Sequence, residues 1–388
     1  MLIITSPGQG AQTPGFLEPW LEVPGVAERL GAASELAGRD LIKYGTTGSA
    51  DEIRDTAVAQ PLLVAAALAV AGALAGGQPG DVQADVIAGH SVGELAAGAL
   101  AGVLSAADAM RLVSVRGDAM AQAAAVEPTG MSAVLGGDEE EVLAALARHG
   151  LTPANMNAPG QIVAAGTLPE LEALAADPPA GARVRPLQVA GAFHTRHMAP
   201  AVAALRAAAA EVPVADPVIT LLSNADGTAV TTGKEWLERI VAQVAAPVRW
   251  DLTMTTMTDL GVTALIELPP AGTLTGLARR ALPGVAQLAI KSPDDLAAAR
   301  DLITEHLSEP EGHGHGHTPE WRVIVAPASG TFRSAGAAAG ALGTVVARGG
   351  ERELVSPWPA EIIEWLVEDG DPVSEGQPMV RVQPKDGA

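Results

Sequence analysis

The chain has 388 residues, and its 24 Lys and Arg against 45 Asp and Glu give a formal net charge of −21 at pH 7. Such an acidic chain is not expected to track nucleic-acid phosphates. It contains no cysteine, which excludes disulfides, thiolate metal sites and a cysteine nucleophile. Because 48% of the residues are hydrophobic and only 3% are aromatic, the core must be built mainly from Ala, Leu and Val. At about 150 residues per domain, the length predicts two or three domains.

The first residues form an apolar strand with no basic region before it, so we expect no secretory signal and a cytoplasmic protein. One uncharged stretch, Pro61–Gly77, has 17 residues. A membrane-spanning helix needs about 20 strongly apolar residues, and this stretch is shorter and rich in alanine. It is therefore predicted to be a buried helix, and no membrane contact is expected.

Short apolar strands alternate with longer helical stretches in the first 120 residues. The strands are predicted at Leu2–Thr5 and Val86–Ala88, and the helices at Pro61–Ala75 and Gly93–Leu104. This alternation is typical of an α/β layer with a mainly parallel sheet. The same rhythm returns later, with helices at Ala201–Glu211 and Gly233–Val244 and strands at Ile219–Ser223 and Ala264–Leu268.

Between residues 125 and 195 the predicted elements are shorter and follow one another quickly. They are the strand Met131–Gly136, the helix Asp138–Arg148, the strands Leu151–Asn157 and Gln161–Gly166, the helix Leu168–Ala176 and the strand Ala182–Val189. Their order, βαββαβ, is the ferredoxin-like pattern. We predict a small subdomain over 125–195, inserted into a larger one formed by 1–124 and 196–306.

The C-terminal part is predicted to be a separate unit. Residues 307–320 are rich in Gly, Pro and charge and read as a flexible linker, whose His313, His315 and His317 are not expected to form a functional metal site. Within 321–388, Val323–Pro327 and Glu353–Pro357 repeat at a period of 30 residues. The repeat predicts a small pseudo-symmetric β sandwich.

The segment Gly89-His90-Ser91-Val92-Gly93 fits the G-x-S-x-G pattern of a nucleophile elbow. An apolar strand precedes it and a helix follows, so the serine lies at a tight turn beside free N–H groups of a helix N-terminus. The alternative is an ordinary turn with a solvated serine. The context favours a serine nucleophile.

A serine nucleophile needs a base, and the histidines outside the linker are the candidates. His90 adjoins Ser91 and should point away from its hydroxyl, while His149 and His306 lie near helix ends. The loop Gly191–His197 offers His194 and His197. Spacing alone does not choose between them.

The loop Ser6–Gln12 follows the first strand and contains two glycines. A phosphate-binding loop is the competing interpretation, but no Lys-Ser/Thr pair and no third glycine follow at the required spacing. Backbone N–H donors that form half of an oxyanion hole fit better. Arg116 follows the start of an apolar helix, where it becomes functional only if the substrate carries a carboxylate.

These motifs together resemble the malonyl-CoA:acyl-carrier-protein transacylases of fatty-acid synthesis over about residues 1–306. The segments that carry the resemblance are Gly8–Gln12, Ala59–Pro61, Gly89–Glu94, Arg116, Asn155–Gln161, Ala192–His194, Ser223–Asn224, Pro247–Trp250 and Leu274–Leu277. The resemblance implies an α/β fold with an α/β-hydrolase-like large subdomain and a ferredoxin-like small one. A polyketide-synthase malonyltransferase is the runner-up; a plain serine hydrolase and a non-catalytic scaffold are weaker rivals.

The resemblance also implies the roles of individual residues. Ser91 would be the acylated nucleophile and His194 its base, in preference to His197. The remaining roles are the oxyanion hole (backbone N–H of Gln9 and Val92), the carboxylate clamp (Arg116), the carbonyl that orients the base (Gln243) and pocket selectivity (Phe193 and His90). Phe193 resembles the malonyl-selective version of this loop, which leaves little room for an α-methyl branch.

The implied substrate is malonyl-CoA, and the implied transient partner is acyl carrier protein; no metal and no covalent cofactor are expected. Arg196, Arg279 and Arg280 are candidates for a basic patch that docks the acidic carrier. The tail is similar to biotinyl/lipoyl carrier domains, but Gly349 stands where they carry the modified lysine, and Lys385 is the only lysine after the linker. We expect an unmodified interaction or stabilising module whose protein partner is unknown.

Overall fold

The computed structural model describes residues 1–308, 322–334, 341–347, 350–355, 360–367, 369–373 and 378–384. Its contacts divide the chain into two compact units, Met1–Ser308 and Glu309–Ala388. The linker histidines, Gly349 and Lys385 lie outside the described residues. The predictions made for them therefore stay predictions.

Unit 1 contains eleven strands and twelve α-helices, and all of its residues are described. The strands are β1 (Leu2–Ser6), β2 (Val86–Gly89), β3 (Thr129–Gly136), β4 (Thr152–Ala158), β5 (Gln161–Thr167), β6 (Ala182–Pro186), β7 (Thr220–Leu222), β8 (Ala229–Val230), β9 (Val248–Arg249), β10 (Ala264–Glu267) and β11 (Ala286–Ala289).

The helices of unit 1 are α1 (Val26–Ala37), α2 (Leu41–Thr47), α3 (Thr56–Ala75), α4 (Gly93–Leu100), α5 (Ala106–Ala124), α6 (Glu139–Arg148), α7 (Leu168–Ala176), α8 (Ala199–Ala209), α9 (Gly233–Gln243), α10 (Trp250–Asp259), α11 (Thr273–Ala281) and α12 (Asp295–Ser308). Short 3-10 turns occur at Glu18–Glu22, Glu52–Arg54, Pro79–Asp81 and Arg196–Met198.

The larger sheet has the strand order β11-β10-β1-β2-β7-β8 and is parallel except for the pair β7–β8. Every residue of β1, β2 and β10 is buried, as a parallel sheet covered on both faces requires. The carboxyl ends of β1 and β2 lie side by side, with Ser6 opposite Gly89. The two loops singled out in the sequence therefore leave the sheet at the same edge.

Helix α3 begins earlier than predicted, at Thr56 rather than Pro61, because the Asp55 carboxylate accepts a hydrogen bond from the Ala57 backbone N–H and caps it. Among the described residues it is the one helix long and apolar enough to cross a membrane, but 94% of its apolar window is buried inside the protein. Burial in the core accounts for its composition.

The predicted helix Gly93–Leu104 is wrong at its C-terminal end, since α4 stops at Leu100. Gly102 adopts a left-handed φ of 79°, and the Val103 N–H returns to the Gly98 carbonyl oxygen at 2.8 Å, which closes the helix. Ser105 then caps α5 by accepting a hydrogen bond from the Asp108 N–H. A short apolar connection between two helices was thus misread as helix.

The smaller sheet has the strand order β6-β3-β5-β4-β9. Its first four strands, with α6 and α7, follow one another along the chain as βαββαβ. The fifth strand, β9, comes from outside the predicted insert and pairs in parallel with β4. The last predicted strand of the insert ends at Pro186 rather than Val189, so residues 187–189 are free to line a cavity beside the site.

Within the described part of unit 2 the strands form two sheets. One has the order β12 (Arg322–Val325), β18 (Pro378–Pro384), β16 (Ala360–Trp365), and the other β15 (Gly350–Val355), β14 (Ala341–Ala347), β13 (Gly330–Ser334), β17 (Pro372–Val373). The two copies of the 30-residue repeat contribute β12 to one sheet and β15 to the other. A single apolar cluster that includes Phe332, Val345 and Val380 unites residues from both sheets.

Candidate active site

Ser91 lies in a tight turn between β2 and α4. Its φ is 52°, in the left-handed region that serine rarely adopts. A Cβ on Gly89 would overlap the backbone of Gly93, and a Cβ on Gly93 would overlap the Ser6 carbonyl oxygen. Both glycines are therefore required by close backbone approach. The turn directs the Ser91 hydroxyl toward the cavity at the carboxyl edge of the sheet.

His194 is the histidine that reaches this serine. Its Nε2 lies 2.8 Å from Ser91 Oγ, and its Nδ1 lies 2.8 Å from the Gln243 carbonyl oxygen. Since a carbonyl oxygen only accepts, Nδ1 carries the proton and Nε2 is left to accept from the serine hydroxyl. His197 instead faces Glu127, with 3.2 Å between Nδ1 and a carboxylate oxygen. Of the two histidines that spacing could not separate, His194 is therefore the one in position to act as the base.

The environment keeps His194 neutral. Burial, together with the nearby positive charge of Arg116, lowers the pKa of His194 to about 3. The imidazole is 4% exposed and the Ser91 residue 8%. A neutral imidazole with its acceptor nitrogen on a hydroxyl is the arrangement of a general base.

Arg116 is held beside Ser91 with unused donors. Its two terminal nitrogens donate to Gln60 Oε1 at 2.6 Å and to Gln243 Oε1 at 2.9 Å, and the second lies 3.4 Å from Ser91 Oγ. The residue is 1% exposed, and its Nε has no hydrogen-bond partner among the described residues. No ion pair of Arg116 occurs in that part of the chain either. A buried cation with no carboxylate in direct contact is a site for one.

Two backbone N–H groups near Ser91 are also unpaired. Within the described residues, the amides of Gln9 and Val92 donate to no protein acceptor, whereas the Ser91 amide donates to Asn224 Oδ1 at 2.7 Å. Gln9 lies in the loop after β1, and its side chain is held by Thr56 at 3.2 Å. Free donors at this edge are what an oxyanion hole requires.

The site opens into a cavity of about 170 Å³ that is lined by the loops after β1 and β2, by strands β3, β4 and β5 of the smaller sheet, by the loop after β6, and by residues of α3, α5 and α11. Phe193, 5% exposed, forms part of its wall, and so does His90. His90 Nε2 lies 3.0 Å from Asn157 Oδ1, its ring meets Trp250 edge-on, and burial lowers its pKa. His90 therefore points away from the Ser91 hydroxyl, as the sequence predicts.

Comparison with known proteins agrees with this geometry. The family model described as "Acyl transferase domain" matches residues 23–293. The malonyl CoA-acyl carrier protein transacylase of Mycobacterium tuberculosis strain H37Rv is 56% identical over 302 residues, which are 78% of this chain and 100% of that protein. The chain belongs to this family.

Solved structures extend the comparison. The crystal structure of MCAT from Mycobacterium tuberculosis matches 77% of this chain and 99% of that one, with a TM-score of 0.75 and 55% identity. A structure titled as a malonyl-transacylase with its type II PKS acyl-carrier protein matches 78% of this chain and 99% of that one, with a TM-score of 0.71 and 29% identity. The mixed α/β fold is shared, and the family model ends before the tail begins.

The three arginines expected to dock a carrier protein lie on the surface of unit 1. Arg196, Arg279 and Arg280 are exposed, and Arg280 donates at 2.9 Å to Gln161, which lines the cavity. Arg280 is therefore at the rim of the cavity. Among the described residues no cluster of three His, Asp or Glu side chains could hold a metal ion.

Sequence reasoning gave no role to Gln60, Asn224 and Glu94, which hold the catalytic groups in place. The motifs Ala59-Gln60-Pro61 and Ser223-Asn224 were recognised, but which side chain each would contact depends on tertiary packing. One signal was available for Glu94: it is the only charged residue in the apolar helix α4.

Proposed function

We propose that the protein transfers the malonyl group of malonyl-CoA to the phosphopantetheine thiol of acyl carrier protein through a malonyl-serine intermediate, and so supplies fatty-acid chain elongation. The observation that carries this proposal is the buried Arg116 guanidinium, which has no direct carboxylate contact among the described residues and lies 3.4 Å from the same Ser91 oxygen that is 2.8 Å from His194 Nε2. The family relationship supports it. Nucleophile, base and carboxylate clamp converge on one oxygen.

In the first half-reaction Ser91 Oγ attacks the thioester carbonyl carbon while its proton moves to His194 Nε2. The amides of Gln9 and Val92 donate to the oxyanion that forms, and each such donor is worth about 3 kcal/mol in comparable acyl transfers. The carbon–sulfur bond then breaks. Coenzyme A leaves as the thiol with the proton from His194, and the malonyl group remains on Ser91.

In the second half-reaction the carrier's thiol gives its proton to His194 Nε2, and its sulfur attacks the ester carbonyl carbon. The bond to Ser91 Oγ breaks, and His194 returns the proton to the serine. Because coenzyme A leaves and the malonyl group stays on Ser91 before the carrier's thiol attacks, the kinetics are ping-pong. No metal or redox group takes part in these steps.

The malonyl carboxylate accounts for the buried arginine. Bound to Arg116, it neutralises the charge that helps to depress the pKa of His194, so the base becomes stronger once the correct substrate is in place. A base oriented by the Gln243 carbonyl, rather than by an aspartate, adds no buried negative charge that would repel this carboxylate. An acetyl group has no carboxylate, so it neither neutralises the charge of Arg116 nor would be repelled by a buried negative charge.

Transfer of labelled malonyl from malonyl-CoA to holo acyl carrier protein tests the proposal. We expect turnover with the wild-type chain, and none with Ser91→Ala or His194→Ala. Release of free malonate without a carrier would support a serine hydrolase instead. Comparing fatty-acid with polyketide carriers separates the runner-up, and an inert wild-type chain would favour the scaffold interpretation.

Carrier docking by Arg196, Arg279 and Arg280 also stays a proposal. A net charge of −21 requires a local basic patch before an acidic carrier can approach. Charge reversal at the three positions should raise the KM for carrier and leave that for malonyl-CoA unchanged. An unchanged KM for carrier would remove these residues from consideration.

We further infer an α/β-hydrolase-like large subdomain (1–124 and 196–306), a ferredoxin-like insert (125–195) and, after the linker 307–320, a biotinyl/lipoyl-like tail (321–388). The strand order β6-β3-β5-β4 supports the insert, and two sheets on one core support the tail. With Gly349 in place of lysine, the tail should carry no biotinyl or lipoyl group. An intact mass with either adduct would contradict this. A cytoplasmic location and a protein partner for the tail stay predictions.

A further inference from the structure

Glu94 is a fully buried carboxylate that the mechanism leaves unused. It lies in the first turn of α4, is 1% exposed, and is the only charged residue of that helix. One carboxylate oxygen accepts a hydrogen bond from the Asn224 backbone N–H at 2.9 Å, and the other accepts from the Gln243 side-chain Nε2. Burial raises the pKa of Glu94 to about 8, while hydrogen bonds from the Asn224 backbone and the Ser223 side chain, together with the charge of Arg116, oppose that rise.

Both partners of Glu94 contact the reacting groups. Asn224 accepts the Ser91 backbone N–H at 2.7 Å and donates to the Gly89 carbonyl oxygen at 2.8 Å, so it fixes the elbow on both sides. Gln243 orients His194 with its backbone carbonyl oxygen and holds Arg116 with its side-chain Oε1. Glu94 is thus connected to the base, the nucleophile and the clamp through two residues, and it does not line the cavity.

We propose that Glu94 is a positioning residue that fixes the side-chain amide of Gln243, and that selection of a carboxylated acyl group depends on it through Arg116. The proposal rests on the malonyl transfer proposed above. Gln243 presents Nε2 to an oxygen of the Glu94 carboxyl group and Oε1 to the Arg116 guanidinium, and this orientation of the amide gives each neighbour a matching partner. If the amide were rotated, its N–H donors would face the guanidinium and its oxygen would face the carboxylate.

The isosteric change Glu94→Gln tests this arrangement. The new side chain has one acceptor oxygen, while the Asn224 N–H and the Gln243 Nε2 both donate. The Asn224 backbone is fixed by the elbow, so the contact with Gln243 is the one that is lost. Gln243 is then free to turn its amide toward Arg116, and the clamp loses its position.

The experiment measures kcat/KM for malonyl-CoA and for acetyl-CoA with the full-length chain and the same holo carrier. We expect Glu94→Gln to lower the malonyl-to-acetyl ratio by roughly tenfold or more, mainly through a higher KM for malonyl-CoA, because acetyl has no carboxylate to place. Glu170→Gln is the control. Glu170 also lies in the first turn of a helix and accepts a hydrogen bond from a backbone N–H, that of Thr167 at 2.7 Å, but no residue of its helix α7 lines the cavity, so its loss should lower stability and keep the wild-type ratio.

A second variant keeps the proposal testable if Glu94→Gln fails to fold. Gln243→Met retains the backbone carbonyl for His194 but removes the link between Glu94 and Arg116, and should lower the ratio to the same extent. Adding Glu94→Gln to Gln243→Met should then change the ratio no further. An unchanged ratio in both single variants, a parallel fall of both substrates, or additive effects would overturn the proposal. A wild-type chain that transfers no malonyl would contradict the proposed function instead.

Discussion

Replacing Arg116 by alanine separates recognition of the carboxylate from the chemistry of acyl transfer. In the wild-type chain the guanidinium is buried, is held by Gln60 and Gln243, and makes no direct ion pair with any described residue. The substitution removes the two donors that would pair with the malonyl carboxylate and leaves Ser91 and His194 in place. We expect malonyl transfer to fall strongly, and acetyl transfer to stay unchanged or improve.

The magnitude follows from the number of hydrogen bonds lost. Two bonds to a charged group contribute about 1.5–3 kcal/mol each, which together correspond to roughly a hundredfold to ten-thousandfold in kcat/KM for malonyl-CoA. Acetyl-CoA makes neither bond. Removing the positive charge also withdraws one cause of the low pKa of His194, which favours the base and accounts for any gain with acetyl-CoA.

The assay is steady-state transfer of each acyl group to one holo carrier at a fixed pH. Arg111→Ala is the control, because this arginine lies on the same helix, has a side chain 57% exposed and pairs only with Asp108 among the described residues. It should leave both rates within about twofold, as surface substitutions usually do. If Arg116→Ala lowered malonyl and acetyl transfer equally, Arg116 would not be the carboxylate clamp.

Three further outcomes are expected. Because the pKa of His194 is lowered to about 3, the base stays unprotonated as pH falls, and the rate of Ser91 acylation by acetyl-CoA should decline only well below pH 6.5. In Arg116→Ala this decline should move to higher pH. An unchanged pH–rate profile would contradict the coupling between the Arg116 charge and His194. Phe193→Ala should reduce discrimination against methylmalonyl-CoA, which one methyl group limits to roughly 10–200-fold, in a direct competition assay; unaltered discrimination would remove Phe193 from the pocket's selectivity. A chain that ends after Ser308 should retain malonyl transfer and the same carrier KM, since a relative matched over its whole length covers only 78% of this chain; loss of activity in folded protein would assign the tail a role in catalysis.

The sequence was sufficient for features that depend on local geometry. The elbow around Ser91 needs glycines on both sides because the backbones of β2, α4 and the loop after β1 meet there. The G-x-S-x-G motif contains these two glycines, so the turn could be predicted from the sequence. Four of the six strands of the larger sheet, β1, β2, β7 and β10, were predicted because they are mostly apolar, whereas β8 and β11 were not predicted. The insert was predicted because its strands and helices are short and follow one another quickly.

Other features depend on contacts between residues that are distant in the sequence, and they could not be predicted from it. His194 and His197 are three positions apart, and only the packing of α9 against the loop brings the Gln243 carbonyl oxygen to one of them. Glu94 and Gln243 are 149 positions apart, so no spacing rule relates them. The end of α4 was missed because Gly102 terminates it within an otherwise apolar run.

The central claim is that one serine oxygen carries the malonyl group between two thiols. Intact-mass spectrometry of the chain after brief mixing with malonyl-CoA, followed by peptide mapping, tests it most directly. The account predicts a single malonyl adduct on Ser91 that disappears when holo acyl carrier protein is added and reappears on the carrier. An adduct on another residue, or an adduct on Ser91 that the carrier's thiol does not remove, would contradict it.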